Sequence, residues 1–206
     1  MAHRDIKPEN LLLSDQKDLN SLKLADFSFA KYVENANDCR TLCGTPGYLA
    51  PEMLERFPAY GVKCDVWSVG CLLFLLLGGY LPFDDEDDDV VFDQTRNGQY
   101  DFRPEFWRGV SNGAKDLVTR MLTINAKKRI SAKKALNSDW MEHGDKVLEE
   151  RQLNLKKLRV LIEGKRKMKA AIATVRDPVR YGVACVVGDS TILLLRKAGR
   201  NKFYMV

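Results

Sequence analysis

The sequence predicts a mainly α protein with short β segments. The first observation behind this is the apolar run from Val66 to Leu77, broken only by Ser68 and Gly70. It is too short to span a bilayer and reads as a buried core helix. The second is a pair of serines placed to cap helices. Ser111 precedes a stretch whose Leu117, Val118, Met121 and Leu122 share one side, and Ser131 precedes a short stretch through Leu136. A hydroxyl at such a position accepts from a first-turn amide that has no partner within the helix. The third is the brevity of the runs with strand character: Asn10 to Leu13, Leu22 to Asp26, and two short stretches after Tyr181.

In chain order, the residues up to about Asn20 carry no helical period and read as a loop followed by the first strand. Lys17 to Ser21 forms a polar turn into the second strand. From Phe27 to Glu52 the chain is irregular, punctuated by Gly44, Pro46, Gly47 and Pro51. So long an irregular stretch inside a folded unit is usually functional. Asp65 stands where it can N-cap the apolar helix, which ends at Gly78-Gly79. After the two serine-capped helices, Asp145 to Ala173 reads as a long basic helix, and Pro178 ends it. Tyr181 to Val206 reads as short strands, GVACVV and TILLL, around a Gly188-Asp189 turn.

The 206 residues are 45% hydrophobic and 30% charged, without a low-complexity tract or a visible repeat, which fits a folded chain with one good core. Cys39, Cys43, Cys64, Cys71 and Cys185 include no C-x-x-C pair, so no zinc site is expected, and an odd count without a framework reads as reduced thiols. That points to a cytoplasmic protein, with the nucleus as the alternative. The charged opening Met-Ala-His-Arg-Asp does not read as a signal peptide. The net charge of +5 hides a reversal: residues 1–145 hold 18 Lys+Arg against 23 Asp+Glu, residues 146–206 hold 15 against 5. An acidic body followed by a basic tail implies a separate partner for the tail.

One constellation carries chemistry. His3-Arg4-Asp5-Ile6-Lys7-Pro8-Glu9-Asn10 is followed by Asp26-Phe27-Ser28, by Cys43-Gly44-Thr45-Pro46-Gly47-Tyr48-Leu49-Ala50-Pro51-Glu52, by Asp65-Val66-Trp67-Ser68-Val69-Gly70, and by Lys128-Arg129-Ile130-Ser131 and Trp140. The order and spacing resemble the large, C-terminal lobe of a protein kinase, from its catalytic loop to its last helix, over residues 1–142. The resemblance implies a kinase C-lobe lacking the N-lobe (1–142), followed by a basic helical tail resembling a regulatory, calmodulin-binding segment (143–178) and a short β segment without an assigned function (179–206).

The activity implied is transfer of the ATP γ-phosphoryl group to Ser or Thr of proteins, with ATP and Mg²⁺ as cofactors. Asp5, Lys7, Asn10 and Thr45 would be the catalytic residues. Asp5 would accept or orient the proton of the attacking hydroxyl, Lys7 would stabilise charge on the phosphoryl group, and Thr45 would contact both. Asn10 and Asp26 would be the metal ligands, since Mg²⁺ is a hard cation that takes oxygen donors. Lys7, Glu9, Asn10, Leu12 and Asp26 would line the cofactor site, with Leu12 as the floor under adenine. Glu52 and Arg129 resemble a buried ion pair, and Asp65 the residue that holds the catalytic-loop backbone. Ser28 departs from the family pattern, where glycine is usual; a tolerated variant and an impaired one are the two readings, because serine lacks access to positive φ.

Within the kinases the match is nearest to the calcium/calmodulin-dependent group, through KLADFSFAK, LCGTPGYLAPEML, YGVKCDVWSVGCLLFLLLGGYLPF, GQYDF and MLTINAKKRISAKKALNSDW. Thr41 stands where relatives carry an activating threonine, and Arg4 would meet its phosphate; an unmodified threonine is the alternative. Asp84 to Asp89 either serves a helix start or, with Glu9, favours basic substrate residues. Leu158, Leu161, Met168, Ile172 and Val175 lie near one face of the basic tail, which suits a calmodulin groove as well as packing on the lobe. The last 25 residues bear a weak likeness to the first strands of Nudix hydrolases, without that family's glutamate-rich box. The expected partners are protein substrates bearing Ser/Thr near basic residues, and Ca²⁺/calmodulin; neither nucleic acid nor a membrane is expected. No G-x-G-x-x-G occurs and His3 already belongs to the catalytic loop, so the expectation is a truncated, inactive fragment. The alternative is a non-catalytic, kinase-derived module that binds calmodulin or substrates.

Overall fold

Residues 1–14 and 22–143 are described by the structure, a computed structural model. In order they form a 3₁₀ turn at Pro8–Asn10, strands β1 (Leu11–Leu13) and β2 (Leu22–Leu24), 3₁₀ turns at Phe27–Phe29 and Pro51–Met53, and six helices. These are α1 (Lys63–Gly78), α2 (Asp88–Asn97), α3 (Pro104–Trp107), α4 (Asn112–Met121), α5 (Ala132–Leu136) and α6 (Asp139–His143). The architecture is therefore mostly helical with few strands. The expected Lys17–Ser21 turn, the basic helix from Asp145 and the strands after Tyr181 lie outside the described residues.

Helix α1 is the centre because it is apolar on nearly every side, the mark of a helix enclosed by its neighbours. Trp67 stacks on Phe83 at 5.5 Å and Phe74 meets Tyr80, Tyr100, Phe102 and Trp107 within 5.7 Å. Helix α4 crosses α1 at Gly70, where a Cβ would come within 2.8 Å of Met121 Cβ, so only glycine lets the two backbones approach this far. α4 itself is amphipathic, burying Ala114, Leu117, Val118 and Met121.

The caps divide instructively. Ser111 and Ser131 do cap α4 and α5, accepting from the amides of Ala114 (3.2 Å) and Lys134 (3.3 Å). Asp65 does not cap α1, contrary to expectation: the helix starts two residues earlier, with Val62 at the N-cap and no side-chain cap bond. The Asp65 carboxylate instead takes the backbone N–H groups of His3 and Arg4 at 2.8 and 2.9 Å. Two tertiary bonds in a buried setting outweigh one local bond. The acidic run sits partly as expected: Asp87 caps α2, accepting from Asp89 at 2.9 Å, Asp88 and Asp89 occupy its first turn, and Asp84 to Glu86 precede it. No helix among the described residues is long and apolar enough to cross a membrane. The four described cysteines are free thiols.

Candidate active site

The loop from Ala2 to Asn10 is fixed from three directions. Asp65 holds two of its amides, Ala2 forms an antiparallel bridge with Lys31, and Asn10 O accepts from Ala25 N at 2.8 Å, continuing the β1–β2 ladder. His3, fully buried, pins the turn internally. Its Nδ1 accepts from the Asp5 amide at 3.3 Å and its Nε2 donates to Ala25 O at 3.1 Å, which assigns the proton to Nε2. Arg4, between these two residues, takes a left-handed φ of 72°, a conformation costly for a side chain with a Cβ and therefore imposed by the bonds around it.

This brings Asp5, Lys7, Asn10 and Thr45 into one hydrogen-bonded cluster. Lys7 Nζ donates to Asp5 Oδ2 at 2.7 Å and to Thr45 Oγ1 at 2.6 Å. Thr45 Oγ1 donates to Asp5 Oδ1 at 2.7 Å. Asn10 Nδ2 donates to Asp5 O at 2.8 Å and to Asp5 Oδ2 at 3.2 Å. Asp5, Lys7 and Asn10 are buried, so the bonds act where water competes little. Thr45 reaches the cluster because Gly44 turns the chain at φ +113°, with Arg4 O only 2.6 Å from where a Cβ would stand.

Asp26 joins from the neighbouring loop, one residue after Ala25. It is exposed and, like Arg4, left-handed, with φ 63°. Ser28 is not: the strain anticipated for serine in place of glycine falls on Asp26 instead, and Ser28 sits in the 3₁₀ turn with an ordinary negative φ. Its hydroxyl donates to Asp26 Oδ1 at 2.7 Å. That bond, opposed in part by desolvation, holds the Asp26 carboxyl below the usual carboxylate range, with lesser help from the Ser28 amide, Lys7 and His3. No direct bond joins Asp26 to Asp5 or Asn10 among the described contacts; proximity to Lys7 and His3 is electrostatic.

Leu12 lies mid-strand on β1, paired with Lys23, and is partly exposed. Glu9 keeps one carboxylate oxygen buried without a hydrogen-bond partner. Glu52 and Arg129 form the expected ion pair through two 2.7 Å bonds. Two residues escaped the sequence reading. Ser28 was weighed only for its backbone, whereas its hydroxyl orients the Asp26 carboxylate. Tyr60, 1% exposed, donates its hydroxyl to Thr41 O and accepts from Arg4; a lone tyrosine ahead of an apolar helix carries no signal that would have singled it out.

The described residues thus bring together a carboxylate bonded by lysine, threonine and asparagine and a neighbouring loop that presents a second carboxylate. Residues 1–141 match the protein kinase domain family, and the chain belongs to that family. Within it the similarity is to the serine/threonine kinases of the calcium/calmodulin-dependent type. The chain is 40% identical to the type II calcium/calmodulin-dependent protein kinases of Caenorhabditis briggsae and Caenorhabditis elegans over 193 residues, 93% of its length. It is 43% identical to the delta subunit of that kinase from Oryctolagus cuniculus over 177 residues, 84% of its length. The chain spans only 36%, 26% and 33% of these three relatives, respectively.

Proposed function

We propose that residues 1–142 provide the large-lobe half of a serine/threonine kinase site, with ATP and Mg²⁺ as cofactors and proteins as substrates. The observation that carries this is the Asp5 carboxylate. Three donors occupy it, two on Oδ2 and one on Oδ1. A carboxylate has about four lone-pair sites, so one remains on Oδ1 for the hydroxyl of a substrate serine or threonine. Asp5 then orients that hydroxyl and takes its proton. Lys7 brings positive charge to the same spot, where the transferred phosphoryl group gathers negative charge.

The donor set suits the metal. Both Asn10 bonds use Nδ2, which leaves the amide oxygen as a neutral ligand, and Asp26 offers a carboxylate held in its ionised form by Ser28. A bound Mg²⁺ would neutralise phosphate charge, and Asn10 and Asp26 would hold it. Leu12 would face the base. Glu9, partly exposed beside the cluster, and the acidic run from Asp84 to Asp89 would favour substrates carrying Arg or Lys near the acceptor.

Residues 1–206 contain no G-x-G-x-x-G, so a protein made of these residues alone would hold the phosphates from one side. Positioning supplies about 7–11 kcal/mol of barrier lowering in well-oriented reactions, and phosphates bound on one side forfeit much of it. The expected result is that a 206-residue chain given Mg-ATP and a basic serine peptide turns over no faster than its Asp5→Asn variant. Adding a kinase small lobe in cis should restore turnover that Asp5→Asn abolishes. Failure of Asp5→Asn to matter in the restored protein would refute the assignment.

A second activity belongs to the tail. Similarity to the nematode kinases extends over 93% of the chain, well past the last described residue, and the tail sequence is basic with Leu158, Leu161, Met168, Ile172 and Val175 spaced among the charges. We infer that it takes up Ca²⁺-loaded calmodulin. A Leu158–Arg176 peptide should bind at micromolar concentration with Ca²⁺ and not without it. Ile172→Asp with Val175→Asp should weaken binding by about tenfold or more, since a charge in an apolar groove is costly. Calorimetry without Ca²⁺-dependent heat would remove the idea.

A further inference from the structure

Tyr60 lies where four separate stretches of chain meet. Its backbone pairs with Cys39 in both directions, at 2.9 and 3.0 Å. Its hydroxyl donates to Thr41 O at 2.6 Å and accepts from Arg4 Nη1 at 3.3 Å, with Cys43 Sγ at 3.7 Å. Arg4 reaches on from there: Nε donates to Phe29 O at 2.5 Å, and its backbone amide is held by Asp65. One phenol therefore joins the catalytic loop at residue 4, the segment after Asp26 at Phe29, the segment from Cys39 to Cys43 and the approach to α1. Burial is the main influence that pushes its ionisation far above the ordinary phenol range, so the hydroxyl keeps its proton and its role as donor at any physiological pH.

We propose that Tyr60 is a positioning residue that locks residues 39–44 against the catalytic loop without covalent modification of that segment. Thr45, one residue beyond, orients Asp5, so the placement of this segment sets the geometry of the acidic centre. The ordinary device for such a task is a phosphate that bonds an arginine. Here Arg4 already holds two oxygen partners, one of them the Tyr60 hydroxyl, and Thr41 contributes its backbone carbonyl while the residue itself is exposed. A phenol between an arginine and a carbonyl does what a phosphate between an arginine and a loop does, with a neutral group and a permanent one.

The inference rests on the kinase reading for its meaning, but its test needs no turnover, so the two can fail separately. Arg40 places a trypsin site inside the locked segment. In the 206-residue chain, Tyr60→Phe should speed cleavage after Arg40 about tenfold, with the far-ultraviolet spectrum and cleavage after Lys115 on α4 unchanged. Tyr32→Phe, at a position 85% exposed, should leave the rate as it was. Arg4→Ala should also speed the cut, and the double variant should fall short of the sum of the two, because the Arg4–Tyr60 bond is common to both while the Tyr60–Thr41 and Arg4–Phe29 bonds are not. Equal cleavage of parent and Tyr60→Phe, or additive effects of the two variants, would overturn the proposal. Should Tyr60→Phe unfold the whole chain, hydrogen exchange on the parent decides. The Cys39 and Tyr60 amides should be protected as well as those of α1, and exchange at open-chain rates would overturn the lock.

Discussion

Arg129→Ala is expected to lower the unfolding free energy by about 3–5 kcal/mol, the usual cost of stranding one partner of a buried ion pair. In a domain of this size that is a fall in melting temperature of roughly 10 °C. The side chain is fully buried and each of its five N–H donors has an acceptor. Two go to Glu52 at 2.7 Å, and the others to Lys63 O at 2.8 Å, Thr123 O at 2.9 Å and Ile124 O at 3.2 Å. The guanidinium also lies 5.0 Å from the Trp67 ring. Alanine therefore leaves a carboxylate and three carbonyls without their donor and a void beneath an indole. Adding Glu52→Gln should return part of the loss, because the stranded charge is gone. A thermal melt of Arg129→Ala within 2–3 °C of the parent, about 1 kcal/mol, would contradict this account.

Gly44→Val is the second large effect, and it strikes the site directly. At φ +113° a branched side chain is strained by about 1–3 kcal/mol. Its Cβ would also stand 2.6 Å from Arg4 O and 2.9 Å from Leu49 Cδ2, an overlap costing about 1–3 kcal/mol more. The carbonyl cannot retreat, since Arg4 is bonded through its amide and its guanidinium. The loss should total about 2–6 kcal/mol, with Thr45 pushed away from Asp5. Denaturant unfolding measures the first part; in a protein with restored turnover, kcat measures the second. An unchanged midpoint would show that the backbone can turn without the glycine.

The parts legible in the sequence are those governed by neighbours in the chain. Ser111 and Ser131 cap as expected because a cap needs only three residues of context. The apolar run became α1 because nothing else can bury so many large side chains. The acidic centre was legible through motif, which encodes partners that are far apart in the chain. What failed was local inference applied to a residue with a distant partner. Asp65 has the composition of a cap and the bonds of a tether. Ser28 was weighed as backbone, although its hydroxyl does the bonding. Helices α3 and α6 are four and five residues long, and helices so short form through packing rather than propensity, so no period announces them.

The bonds that build the site join residues remote in sequence. Thr45 meets Asp5 across 40 positions, His3 meets Asp65 across 62, and Glu52 meets Arg129 across 77. Closing loops of this length costs chain entropy before any contact repays it, so a site built on such links is expected to make folding slower than one built on local contacts. The shape of the catalytic loop therefore depends on a residue 62 positions away and not on the loop's own eight residues. Residues 1–60 hold Asp5, Lys7, Asn10 and Thr45 but lack the Asp65 carboxylate that fixes the amides of His3 and Arg4. Transplanting the eight-residue loop into another scaffold would carry the letters without the tether.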